Sequence, residues 1–253
     1  MNLSAIPNTS FVGRLLRFPL RLIPSEARVP ILQGPLRGKS WIVGSGTHGC
    51  WLGSYEQQKS ILFERTVIDG TTVFDVGANV GFYTLLASVL VGALGQVVAF
   101  EPVPRNLRYL REHVRRNRLT NVTVIEAAVS DRSGRATFSE GPNPSEGRLA
   151  EDGSLTVDTV SIDELVETNA IPPPHCIKID VEGAEGLVLA GARGVLVQWQ
   201  PTLFLATHGR VVHETCVELL TSLGYALEAI DGPSIDRCSE LLAQPTRRDA
   251  VGM

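Results

Sequence analysis

The stretch Val73-Phe74-Asp75-Val76-Gly77-Ala78-Asn79-Val80-Gly81-Phe82-Tyr83-Thr84 carries the most chemical information in this chain. An apolar run of β type contains an acid near its end, a tight Gly-Ala-Asn-Val-Gly turn follows, and a helical pattern begins. Gly77 and Gly81 remove side chains where backbone must turn sharply or approach a ligand. The Asp-x-Gly-x-Asn-x-Gly spacing lacks the middle glycine of Gly-x-Gly-x-x-Gly, which argues against a pyrophosphate lying on this turn. Asp75 could accept backbone N–H groups or meet a ligand amine. Glu101 closes the next apolar run, where an acid can take both hydroxyls of a ribose.

A second group of candidates lies in Ile177-Lys178-Ile179-Asp180-Val181-Glu182-Gly183-Ala184-Glu185. With a two-residue period, Ile177, Ile179 and Val181 share one strand face and Lys178, Asp180 and Glu182 the other. A central parallel strand is normally apolar on both faces, so three charges on one face must be paired or must face a cavity. Asp180 and Glu182 stand at the carboxyl end, which favours the cavity, and Lys178 reads as their counter-ion. Glu185 is accounted for by its place in a first helical turn, where an acid suits the helix dipole. His208 follows the run Phe204-Leu205-Ala206-Thr207 and is a candidate general base for an acceptor hydroxyl. His48 and Trp51 are further candidates for the acceptor side, whereas His113, in a helical pattern among arginines, reads as a surface residue.

Alternating strands and helices must position these residues. Strands are expected at 72–76, 96–101, 121–128, 176–181, 202–207 and 225–230, and helices at 80–91, 106–117, 184–197 and 213–223. Such alternation predicts a parallel sheet with helices on both faces and right-handed crossovers. Ligands then collect beyond the carboxyl ends of the strands. Residues 131–160 interrupt the rhythm, with extra edge strands at 134–139 and 155–160 flanking a loop rich in Gly, Pro, Ser and Asn. Upstream, residues 41–43 read as a short strand, 48–53 as a compact loop and 55–67 as a helix. The last 20 residues can add a final short strand.

Composition narrows the partners. At 253 residues, with 43% hydrophobic and 20% charged residues, the chain suits one α/β domain with an N-terminal extension. The division falls at 1–54 for the arm and small β-containing extension and 55–253 for the main domain. A net charge of −4 gives no general pull toward nucleic acid. Cys50, Cys176, Cys216 and Cys238 form no Cys-x-x-Cys pair and read as reduced thiols of a cytoplasmic protein. No apolar run reaches transmembrane length. Residues 11–24 alternate apolar and basic side chains around Pro19, which suits an arm packing on the domain or on a second subunit, or a peripheral contact with an anionic membrane.

The turn Asp75-Val76-Gly77-Ala78-Asn79-Val80-Gly81 resembles motif I of class I S-adenosylmethionine-dependent methyltransferases. Ser161-Ile162-Asp163-Glu164-Leu165, followed by the string Lys178 to Glu185, resembles the signature of the FkbM family. The resemblance covers about residues 51–230. It implies a Rossmann-like, seven-stranded, mostly parallel sheet with one antiparallel strand near the C-terminus. It also implies methyl transfer from S-adenosylmethionine, mostly to hydroxyl oxygens of sugars, polyketides or related metabolites. By that resemblance Asp75, Gly77, Ala78, Asn79 and Gly81 hold the methionine moiety, Glu101 the ribose, and Ala127, Ala128 and Val129 the adenine. Asp180, Glu182 and His208 would face a small-molecule or glycan acceptor. Two alternatives stay open: a metal-assisted O-methyltransferase using Asp180, Glu182 and His208 as ligands, and a nicotinamide-binding oxidoreductase on a similar sheet.

Overall fold

A computed structural model describes residues 19–139, 148, 149, 153 and 155–246. Most of the basic arm at 11–24 and most of the Gly/Pro/Ser-rich loop at 140–153 therefore lie outside the described residues.

Ahead of the main sheet come β1 (Arg28–Pro30) and β2 (Ser40–Ile42), paired antiparallel, then α1 (His48–Leu52), where the sequence reads as a loop, and α2 (Gln57–Thr66). Alternating strands and helices follow: β3 (Thr72–Val76), α3 (Phe82–Leu90), β4 (Gln96–Phe100), α4 (Pro104–Arg116) and β5 (Val122–Ile125). A small four-stranded sheet comes next: β6 (Ala128–Val129), β7 (Gly134–Ser139), β8 (Arg148–Leu149) and β9 (Leu155–Val160). Strands β7 and β9 have the expected ranges, but they belong to this separate sheet and do not edge the main one. The chain continues through α5 (Ile162–Glu167), β10 (Cys176–Ile179), α6 (Glu185–Ala190), α7 (Arg193–Gln198), β11 (Thr202–Ala206), α8 (Arg210–Ser222), β12 (Tyr225–Ala229) and β13 (Glu240–Pro245).

Seven strands form the main sheet in the order β12-β13-β11-β10-β3-β4-β5. Strand β13 runs antiparallel to both neighbours, and the other pairings are parallel. This is the expected Rossmann-like architecture. All five residues of β3 are buried, as a central parallel strand requires. Strand order reverses beside β3, so the ends of β3, β4, β10 and β11 open on one crevice.

Two further local expectations fail for tertiary reasons. The helix expected over 184–197 breaks into α6 and α7 at Gly191. A side chain there would meet the Ser130 carbonyl oxygen at 2.0 Å. The Gly191 carbonyl accepts bonds from the Asp163 backbone N–H (2.8 Å) and the Ser161 hydroxyl (2.9 Å). The Asp163 carboxylate in turn caps α7, accepting from the N–H groups of Gly194 (2.7 Å) and Val195 (2.8 Å). Ser161 and Asp163 thus tie the helices together.

His113 is the second departure, and it is buried, not surface. Its Nδ1–H donates to the Val80 carbonyl oxygen (2.8 Å), and Nε2 accepts the Ile42 N–H (3.1 Å). The ring stacks on Trp41 at 4.0 Å, so this histidine joins β2 to the glycine turn. Burial pushes its pKa from 6.5 down to about 4. Between those values the unfolded chain holds a proton that the folded chain lacks, so stability falls as pH drops from about 6.5 toward 4. The loss approaches about 3 kcal/mol. Denaturant midpoints compared between the wild type and His113→Gln across pH 7 to 4 should show a steeper acid loss in the wild type. Equal slopes would refute this origin.

Candidate functional site

Backbone geometry at the end of β3 builds the first half of the site. Gly77 has φ +74, and a Cβ there would sit 1.9 Å from the Asp180 carbonyl oxygen, so only glycine lets β3 and β10 stay this close. Asn79 also takes a left-handed conformation (φ 50). Gly81 opens α3 with φ +94 and lies against the Leu110 side chain. Three of the turn's N–H groups are already taken within the protein: those of Gly77 and Ala78 by the Phe100 carbonyl oxygen (3.1 and 2.9 Å), and that of Gly81 by Ala78 (2.8 Å). A pyrophosphate needs such N–H groups free.

Glu101 is 4% exposed. Its Oε2 accepts the Asn79 N–H at 2.7 Å, and its Oε1 accepts the Val103 N–H at 2.9 Å and the Asn106 amide at 3.3 Å. Burial raises its pKa above the ordinary carboxylate value, against the opposing pull of these donors. The side chain braces the glycine turn and still lines the cavity.

Asp75 departs from expectation. It is 1% exposed and does not line the cavity. Its Oδ2 accepts the Thr84 hydroxyl (2.6 Å), and its Oδ1 pairs with Lys178 Nζ at 3.3 Å. Lys178 also donates to the Gly77 carbonyl oxygen at 2.8 Å and stands 3.8 Å from Asp180. An acid inside a sheet needs such partners, and here they hold it behind the turn. Gly81 likewise serves the backbone without lining the cavity.

The second half gathers at the ends of β10 and β11. His208 Nε2 lies 3.3 Å from Glu182 and 3.8 Å from Asp180, while Nδ1 lies 2.7 Å from Glu185. Glu182 is held with φ 55, an uncommon conformation for a non-glycine residue. The Glu185 bond is the largest influence on His208 and raises its pKa above 6.5; burial opposes, and Glu182 and Asp180 reinforce.

Lys59, from α2, was not singled out by its sequence position. It is buried between Glu56 (2.6 Å) and Glu240 (2.7 Å), 3.9 Å from Asp180. The Tyr83 hydroxyl donates to Glu56 at 3.0 Å. Lone charged residues on a helix and a terminal strand give no periodic signal of such a cluster. His48 and Trp51 bond to each other (3.2 Å) and do not line the cavity, whereas Thr47, Cys50 and Tyr55 do.

These halves share one cavity of about 700 Å³. Gly77, Ala78, Asn79 and Glu101 line one part, Ala127, Ala128, Val129 and Phe138 form an apolar wall, and Asp180, Glu182 and His208 line the other part. Among the described residues, the carboxylates Glu56, Glu101, Asp180, Glu182 and Glu240 line it, with Arg105, Lys178 and His208 as the basic groups. That balance suits a ligand carrying positive charge. Asp180, Glu182 and His208 each bring one donor atom within 4.8 Å of the others, the separation a cation site requires. Two ammonium groups within 4 Å already meet the charge of Asp180, one of these three donors.

The family model described as the methyltransferase FkbM domain matches residues 75–227, more than half of the chain. The hexuronic acid methyltransferase AglP of Haloferax volcanii is 36% identical over 143 residues, covering 56% of this chain and 58% of that protein. The 31-O-demethyl-FK506 methyltransferase FkbM of Streptomyces tacrolimicus is 31% identical, covering 48% and 59%. The chain thus spans less than two thirds of the length of these curated relatives. A methyltransferase FkbM from Methylobacillus flagellatus KT shares the fold with TM-score 0.53, 21% identity and coverage of 69% of this chain and 43% of that one. A precorrin-6y C5,15-methyltransferase from Geobacter metallireducens GS-15 aligns with TM-score 0.50 and 17% identity, covering 76% and 88%.

Proposed function

This chain belongs to the methyltransferase FkbM domain family, and we propose that it transfers the methyl group of S-adenosylmethionine to a hydroxyl oxygen of a sugar, glycan or secondary metabolite. The observation that carries this reading is the single cavity joining the glycine turn and Glu101 to Asp180, Glu182 and His208. When bound, S-adenosylmethionine supplies an electrophilic methyl on a cationic sulfur. The residues of the chain must then bind, align and remove one proton. Glu101 stands where it can take ribose hydroxyls with its remaining lone pairs, Ala127 to Val129 and Phe138 offer an apolar wall to the adenine, and the acidic lining favours the cofactor's positive charge. His208 Nε2 faces the acceptor region and accepts the hydroxyl proton. Asp180 and Glu182 stabilise the resulting imidazolium.

Calorimetry tests the cofactor assignment: S-adenosylmethionine and S-adenosylhomocysteine should bind at micromolar concentration and NAD should not. Binding of NAD alone would overturn the proposal. Release of S-adenosylhomocysteine with hydroxylated acceptors, unaffected by a chelator, tests the reaction. Glu101→Ala should weaken cofactor binding by about 1–3 kcal/mol, because it removes a charged acceptor and frees the Asn79 and Val103 N–H groups. Unchanged affinity in that variant would remove Glu101 from the site.

A further inference from the structure

Glu185 is the one acid of the cluster that never reaches the cavity. Its side chain is 0% exposed, and a carboxylate so placed is costly unless paired. Its Oε1 has two partners, the Gly183 N–H at 3.0 Å and His208 Nδ1 at 2.7 Å. Asp180 and Glu182, by contrast, lie at the cavity and approach the other nitrogen, Nε2, at 3.8 and 3.3 Å. The shortest and least exposed of the three contacts is therefore the one facing away from the ligand.

We propose that Glu185 is the positioning residue of this site: it holds the His208 imidazole with its proton on Nδ1 and so makes Nε2 the atom that receives the acceptor's proton. This rests on the methyl-transfer reading. A carboxylate can only accept, so Nδ1 must donate, and in neutral imidazole the lone pair then belongs to Nε2. In the transfer, the acceptor oxygen forms a bond to the methyl carbon, the sulfur–methyl bond breaks with its electron pair going to sulfur, and the hydroxyl proton passes to Nε2. Glu185 stays ionised throughout: burial alone would raise its pKa, yet the bond from His208 brings it below the ordinary carboxylate value. The groups facing the imidazole are Glu185 from α6 and Asp180 and Glu182 from the end of β10, with Lys59, Lys178 and Glu240 around Asp180 and behind it.

The test is nitrogen-15 NMR of the full chain labelled at histidine and saturated with S-adenosylhomocysteine, with the His208 signal assigned by its loss in His208→Gln. At a pH above the His208 titration, the wild type should show neutral His208 with the proton on Nδ1. In Glu185→Gln the other tautomer should appear and the His208 titration should move to lower pH, with Glu185→Asp restoring part of the wild-type behaviour. A merely structural Glu185 would move neither tautomer nor titration. A wild-type proton on Nε2, or an unchanged spectrum in Glu185→Gln, overturns the proposal. Should Glu185→Gln fail to fold, the wild-type tautomer decides alone. Failure of S-adenosylhomocysteine to bind the wild type would instead count against the methyl-transfer reading, and the tautomer of the cofactor-free chain would still judge the Glu185–His208 pair.

Discussion

Gly77→Ala should destabilise the protein by about 2–5 kcal/mol and abolish binding of S-adenosylmethionine. Two costs combine. The left-handed φ of +74 strains any residue with a Cβ by about 1–2 kcal/mol. In addition the methyl would stand 1.9 Å from the Asp180 carbonyl oxygen, which is strand-end backbone and cannot turn aside as a side chain can. Relief requires the ends of β3 and β10 to separate, adding about 1–3 kcal/mol. Separation also displaces Asp180 and the Lys178 bond to the Gly77 carbonyl oxygen, both part of the cavity wall. Gly34→Ala is the matching control, since Gly34 has nearly the same φ, +73, with nothing within 4 Å of the added carbon. Denaturant midpoints and calorimetry on both variants separate strain from collision. A Gly77→Ala protein as stable as Gly34→Ala, with intact cofactor affinity, would show that the close approach is unimportant.

His208→Ala should lower kcat for methyl transfer by about 10²–10⁴-fold while leaving cofactor affinity nearly unchanged. The separation follows from geometry. His208 pairs with Glu185, Glu182 and Asp180, and among the described residues no hydrogen bond or ion pair of its own reaches the glycine turn or Glu101. The wild-type rate should also fall as pH drops through the His208 titration. Because its pKa is raised above 6.5, that loss should begin at a higher pH than for an ordinary histidine. The Glu185–His208 bond stabilises the fold in the opposite sense to His113. Its contribution is fully present below the unfolded pKa of 6.5 and is lost as pH rises through the raised folded value. The measurement pairs calorimetry of S-adenosylhomocysteine with the rate on a hydroxylated acceptor found by screening for its methylation. If His208→Ala transfers methyl at the wild-type rate, the proton goes to Asp180 or Glu182. If it loses cofactor binding, the two halves of the cavity are not independent. Asp180→Asn, which keeps shape and removes charge, completes the comparison.

Much of this protein could be read along the chain because the relevant patterns are local. An apolar run, two glycines and an acid within a few residues predict a strand–turn–helix whose backbone must pass into the left-handed region, and Gly77, Asn79 and Gly81 do so. The two-residue period of Lys178, Asp180 and Glu182 predicts three charges on one strand face; all three line the cavity, but β10 ends at Ile179, and Glu182 reaches the cavity from a turn with φ 55. Strand–helix alternation predicts the parallel sheet, and with it the edge where ligands collect. What escaped the sequence is the set of partners, because a pairing depends on which elements the fold brings side by side. Asp75 has the right type and place for a ligand contact, yet Lys178 on the adjacent strand and Thr84 on the following helix hold it behind the turn. Glu185 has a sufficient local explanation at a helix start, and only the neighbouring end of β11 gives it His208. His113 looks exposed among arginines until β2 covers it. Lys59 and Glu240 stand 181 residues apart and meet only because β13 inserts beside β11, near the foot of α2. Periodicity tells which way a side chain points; the order of strands in the sheet decides what it finds there.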